Sequence, residues 1–152
     1  MKKPAWLSGR LTLIPLLVLC CAGGIGCARA ARDTTGFAVT DNTTVNLPFN
    51  EAWQQAKAVL REKGYEIYTR DKRGVFVAFS GSSRKLFQYH RMKLTVSLVA
   101  VSDSATQVAV ETLRQVYGVT LLTYPGWHDR KTQNHTAAQE ILKAIEAKAS
   151  GT

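Results

Sequence analysis

The sequence predicts an α+β domain: an antiparallel sheet of four to five strands with two helices on one face. Three observations lead there. In two segments apolar residues recur at spacings of three and four, the mark of helices with one buried stripe. In the long segments between them, apolar and polar residues alternate singly, as in strands with one covered and one partly wet face. The order of these signals is strand, helix, four strands, helix, which brings both helices against one sheet. A chain of 152 residues with 45% apolar content suits one such domain plus a short extra segment, and is too hydrophobic for a disordered chain. No repeat with a period of roughly 20 to 50 residues is present, which argues against a solenoid.

Thr44-Val45-Asn46-Leu47 reads as a first strand stopped by Pro48, with Asn50 placed to cap the helix that follows. Phe49, Ala52, Trp53, Ala56, Val59 and Leu60 form the apolar stripe of that helix, while Gln54, Gln55, Lys57, Arg61 and Glu62 face outward. Gly64 suits a left-handed cap, and Arg61 and Lys63 lie near the negative end of the helix dipole. Strands are expected at Tyr65 to Arg70, Val75 to Ser80, Tyr89 to Val101 and Thr106 to Tyr117. Tight turns fall at Asp71-Lys72-Arg73-Gly74 and Ser102-Asp103-Ser104, and a looser loop at Gly81 to Lys85. Met92, Leu94, Val96, Leu98 and Ala100 alternate with Arg91, Lys93, Thr95 and Ser97. Val108, Val110 and Val116 oppose Gln107, Glu111 and Gln115, although Leu113 and Arg114 break the pattern. From Gly118 to Asp129 the chain reads as irregular, and a last helix carries Ala138, Ile141, Leu142 and Ile145 on one stripe.

The N-terminus reads as a targeting segment. Lys2, Lys3 and Arg10 are followed by an apolar run from Leu11 to Cys21 and by small residues from Ala22 to Gly26, the three-part build of a secretory signal. The apolar run stops at Gly23-Gly24, short of the about 20 residues a spanning helix needs. Gly24-Ile25-Gly26-Cys27 resembles the lipobox of bacterial lipoproteins, with Gly24 standing where Leu is usual. The resemblance implies residues 1–26 as signal peptide, Cys27 as the lipid attachment site bearing diacylglycerol and palmitate, and residues 27–42 as lipidated N-terminus and tether before a domain at 43–149. An ordinary cleavage after Ala28-Arg29-Ala30 is the rival reading, with Arg29 unfavourably placed inside the cleavage region. By resemblance to lipoprotein sorting in Gram-negative bacteria, Ala28 rather than Asp after the acylated cysteine implies the periplasmic face of the outer membrane.

Asn46-Leu47-Pro48-Phe49-Asn50-Glu51-Ala52-Trp53, then Leu60, Lys63-Gly64-Tyr65-Glu66-Ile67 and Asp71-Lys72-Arg73-Gly74-Val75-Phe76-Val77, resemble the repeated unit of the lipoprotein component C of the outer-membrane β-barrel assembly machinery. In that family a Trp-bearing helix grips a curved sheet, an arrangement called helix-grip. The resemblance describes a helix, its Gly stop and the next hairpin. It implies a helix-grip-like fold and an envelope setting more than a particular role, because this chain has one such domain and no long extension of the kind that contacts a partner in that machinery.

Sequence chemistry is sparse. All three cysteines lie at or before Cys27, so the domain has no disulfide, no Cys-ligated metal and no cysteine nucleophile. His90 reads as a rim histidine. His128, Asp129 and His135 lack the spacing of a zinc site and read as solvated loop and helix start. Ser80-Gly81-Ser82-Ser83 is not a nucleophile elbow, and no phosphate-cradling Gly loop occurs. The expectation is a protein that is not an enzyme, with no cofactor and no metal.

Charge is the stronger signal. Cleavage of the signal takes away Lys2, Lys3 and Arg10 and no acid, lowering the formal charge from +9 to +6. Arg84, Lys85, Arg91 and Lys93 interleave with Phe87 and Tyr89, and Arg70 marks the neighbouring hairpin. This basic set suits anionic lipid or an acidic protein surface, or serves as a solvated face; nucleic acid is not expected for an exported chain. Tyr124-Pro125-Gly126-Trp127 reads either as a partner-binding tip or as a lid on the core. The sequence therefore leads to a membrane-anchored lipoprotein that binds an envelope protein partner as an assembly accessory. Small-ligand or anionic-lipid binding is the alternative, and hydrolysis a weaker one.

Overall fold

Two long strands, β5 (Gln88–Ser102) and β6 (Ala105–Gly118), form an antiparallel hairpin that runs the length of the sheet. The structure is a computed structural model and describes residues 34–71, 73–118 and 124–151, the side chains of 69–71 excepted. The targeting segment, Cys27 and the tether as far as residue 33 lie outside the described residues.

The neighbours of the hairpin change along its length. Near its turn, β3 (Val75–Phe79) pairs with β5, β2 (Glu66–Asp71) pairs with β3, and β1 (Val39–Val45) pairs with β6, giving the order β1-β6-β5-β3-β2. Toward the far end β4 (Ser83–Lys85) takes over beside β5 and β7 (Gly126–Arg130) beside β6. All pairs are antiparallel. We call the first part the body and the second the wing.

The class is α+β as expected, with seven strands rather than four to five. The two extra strands are Ser83–Lys85, expected as loop, and Gly126–Arg130, expected as irregular. The first is three exposed residues long and the second has no buried side chain, so neither carries the alternation by which strands are read. β1 begins at Val39, ahead of the expected boundary at 43, so residues 39–42 are sheet.

Both helices cover one face of the body. In α1 (Phe49–Glu62), Ala52, Ala56, Val59 and Leu60 are buried, and in α2 (Thr136–Ser150), Ala138, Ile141, Leu142 and Ile145. They meet Phe76, Ala78, Leu94, Val96, Val108 and Val110, which the register places on one face: Phe76 opposes Val96 and Val96 opposes Val110. The alanines at 52 and 56 let α1 approach closely, and Trp53 stacks on Phe76 with centroids 3.8 Å apart and planes 20° from parallel. Each large side chain fully buried here contributes about 1.5–3 kcal/mol.

The ends of α1 show how local chemistry sets the turns. Pro48, not Asn50, is the N-cap, and no side chain caps this end; Asn50 lies within the first turn of the helix. At the other end Gly64 has φ +77°, its N–H donates to Arg61 O (2.9 Å), and the Tyr65 N–H donates to Leu60 O (2.9 Å). This pair of bonds is the Schellman closure that a glycine in the left-handed region permits. Gly74 is more tightly constrained. Its φ is +106°, its carbonyl accepts from Leu98 N–H at 2.7 Å, and a Cβ there would lie 2.5 Å from Leu98 O. Any larger residue would push the β2–β3 turn off β5.

Polar ties hold the helices to β1 and to each other. The Thr43 hydroxyl donates to Glu146, His135 Nδ1 lies 2.8 Å from Asp41 Oδ2, and Lys148 pairs with Glu62 at 2.6 Å. Exposed pairs of this kind contribute little beside the core.

Candidate functional site

The wing carries the chemistry because the helices do not reach it. Strand alternation gives it an open face, continuous with the uncovered side of the body, and a helix-side face.

On the open face the rung Arg91–Gln115–Asp129 crosses β5, β6 and β7. Arg91 Nε donates to Gln115 Oε1 at 2.7 Å, and Gln115 Nε2 donates to Asp129 Oδ1 at 2.7 Å. The guanidinium carbon lies 4.0 Å from the ring centroid of Phe79 and 4.1 Å from that of Trp127, so the cation contacts one aromatic ring from β3 and one from β7. Trp127 in turn meets Tyr117 edge-on at 5.4 Å, and Phe79 meets Tyr68 at 6.0 Å. Burial lowers the pKa of Arg91 from its ordinary value, while the charges of Asp129 and Glu66 oppose that shift. A guanidinium has ample margin and keeps its charge. The result is a cation fixed in orientation, with Lys93 one rung further along the same face and Arg84 5.7 Å from the ring centroid of Tyr89.

On the helix-side face β4 to β7 present Ser83, Lys85, His90, Arg114, His128 and Arg130. A cleft of about 330 Å³ opens there, with Ser80, Ser83, Lys85, His90, Arg114 and Asn134 in its lining. Ser80 is fixed by accepting the Met92 N–H at 2.8 Å, and Asn134 Oδ1 accepts the Thr136 N–H at 2.9 Å at the start of α2.

The structure divides the basic and aromatic set proposed from sequence. Arg84, Tyr89, Arg91 and Trp127 gather on the open face of the wing, with Lys93 on the same face at its border with the body, opposite Phe79. Lys85 turns to the other face and lines the cleft. Phe87, 91% exposed, and Tyr124, 95% exposed, stand at the outer end of the sheet. The side chain of Arg70 lies outside the described residues. Trp127 belongs to a strand and packs on the sheet, so the segment does not lid the core. His128 and Asp129 lie on opposite faces of β7, and His135 sits beside Asp41. Among the described residues no group of three His, Cys, Asp or Glu is placed to hold a metal ion, and no helix is long and apolar enough to cross a membrane.

Sequence reasoning missed Phe79 and Gln115 as partners of Arg91, since their meeting depends on register between strands. It noticed Arg114 only as a broken alternation. In the structure the register there is continuous, and Arg114 sits on the face of Val110 and Thr112 just past the rungs that α1 and α2 cover. Set against known proteins, the chain matches no protein-family model and no curated protein.

Proposed function

We propose that this chain is an outer-membrane lipoprotein, anchored through Cys27, that binds a protein partner on the open face of its sheet as a non-enzymatic accessory of cell-envelope assembly. The observation that carries the reading is the Arg91 cluster. Arg, Trp and Tyr dominate the residues that hold protein interfaces together, and they do so best when their geometry is set before the partner arrives. Here Phe79, Trp127 and Gln115 supply that geometry, and Arg84, Tyr89 and Lys93 extend the patch. The lipobox-like Gly24-Ile25-Gly26-Cys27 supports the anchor, and the likeness of residues 46–77 to the assembly-machinery lipoprotein supports the envelope setting.

The test is in-cell photo-crosslinking from Lys93, with Gln54 on the exposed side of α1 as control, combined with intact mass of the membrane-extracted chain. One defined envelope-protein adduct from Lys93 and none from Gln54 is expected, lost in Arg91→Ala, together with an acyl-modified mass that disappears in Cys27→Ala. Equal labelling from both positions would refute the docking face. An unmodified soluble chain beginning at Ala31 would refute the anchor.

A further inference from the structure

We infer that the helix-side cleft of the wing and the β4–β5 tip beside it form a docking site for an anionic phospholipid headgroup at a bilayer surface. Strand parity puts its basic side chains on the other face of the sheet from that of Arg91, although Arg91 also borders the cleft.

Charge is the first observation. Lys85, Arg114 and Arg130 lie on this face with His90 and His128, and no Asp or Glu occupies it among the described residues of the wing. Arg114 and Arg130 are direct cross-strand neighbours, a juxtaposition of like charges that destabilises a sheet unless an anion sits between or beside them. Among the described residues no carboxylate pairs with Arg114 or Lys85. Across the sheet the pattern is different, since Arg91 has Asp129 and Glu66 nearby.

Shape is the second. The cleft of about 330 Å³ brings the hydroxyl of Ser83 and the amide of Asn134 together with Lys85 and Arg114, a lining whose donors fit phosphate oxygens.

The third observation selects the source of the phosphate. Directly after Lys85, Leu86 and Phe87 are both 91% exposed at the hairpin tip, and Leu86 holds φ +55°, a conformation costly for a bulky residue. A soluble phosphate ester would account for the cleft but would leave these two side chains in water. A bilayer accounts for both, with the headgroup among Lys85 and Arg114 and the Leu86–Phe87 tip in the boundary between headgroups and acyl chains.

The test uses the whole chain with Cys20, Cys21 and Cys27 changed to Ala, so that an environment-sensitive fluorophore attaches only at Phe87→Cys, or at Gln54→Cys as control. It is mixed with vesicles of phosphatidylcholine alone or with phosphatidylglycerol added. A blue shift at position 87 that requires phosphatidylglycerol is expected, with none at position 54. Lys85→Gln and Arg114→Gln should each weaken vesicle binding about fivefold. Lys85 is exposed on a short edge strand, so that variant reports even if Arg114→Gln unfolds. Equal shifts on both vesicle types, or equal shifts at both positions, overturn the headgroup site. Inorganic phosphate raising the melting temperature through Arg114, with no vesicle effect, assigns the cleft to a soluble phosphate and overturns the bilayer.

Discussion

The body and the wing are built on the same two strands and differ in what covers them. Over the body, two helices press eight buried side chains onto β3, β5 and β6, and the strands answer with Phe76, Leu94, Val96, Val108 and Val110. One rung past Leu94–Thr112 the helix cover ends, and the paired residues become Met92–Arg114 and His90–Val116. On the open face, neighbours in the wing hold each other by cation–ring contacts and side-chain hydrogen bonds that pass through the buried Gln115. The difference teaches where stability and recognition separate. The body secures the hairpin, and the wing is free to spend its side chains on surface chemistry.

The largest expected effect comes from breaking the body. Phe76 is fully buried beneath Trp53, and Phe76→Ala should destabilise the domain by about 3–5 kcal/mol through lost burial and the cavity left behind. For a domain of this size that lowers the melting temperature by roughly 10–25 °C. Thermal denaturation followed by circular dichroism checks it. A loss of only a few degrees would mean that the wing carries stability comparable to the body, and the division would fail.

A smaller effect is expected from the wing. Gln115 joins Arg91 to Asp129, and Gln115→Ala removes both 2.7 Å bonds at the cost of roughly 1–2 kcal/mol, because both partners are close enough to the surface to find water. Hydrogen exchange should lose protection in residues 114–118 and keep it in 106–112. If both stretches of β6 lose protection together, the hairpin opens as one unit and the two regions are not separate.

The same division governs what the sequence disclosed. Burial writes its period into the chain, so both helix stripes, the long hairpin and the Gly64 and Gly74 turns were legible. Edge strands that bury nothing leave no period. Ser83–Lys85 and Gly126–Arg130 were missed for that reason, and with them the two edges of the site. The basic and aromatic residues were visible as a set, but their division into an Arg91 cluster, a cleft and a tip depends on strand parity and register across three pairings. Arg114 held the most usable hint: a cation on an otherwise apolar alternation marks where the cover stops, and a face no longer covered can serve a ligand.

The smallest expected effect sharpens the account of the body from within. Thr106 and Thr112 are both fully buried on the helix side of β6, and they differ in what their hydroxyls meet. Thr106 Oγ1 donates to Leu47 O at 2.8 Å, tying the β1–α1 junction to the sheet, whereas Thr112 Oγ1 has no partner among the described residues. Valine preserves the shape and the β-branch at either site. Thr106→Val leaves a buried carbonyl unpaired and should cost about 1 kcal/mol, while Thr112→Val removes an unmatched hydroxyl and should stabilise by about 1 kcal/mol. Denaturant midpoints at constant m-value measure both. Opposite signs are expected. A loss of stability at both positions would mean that Thr112 has a buried partner at the boundary with the wing, and that polar bonding reaches further into the body than the helix cover implies.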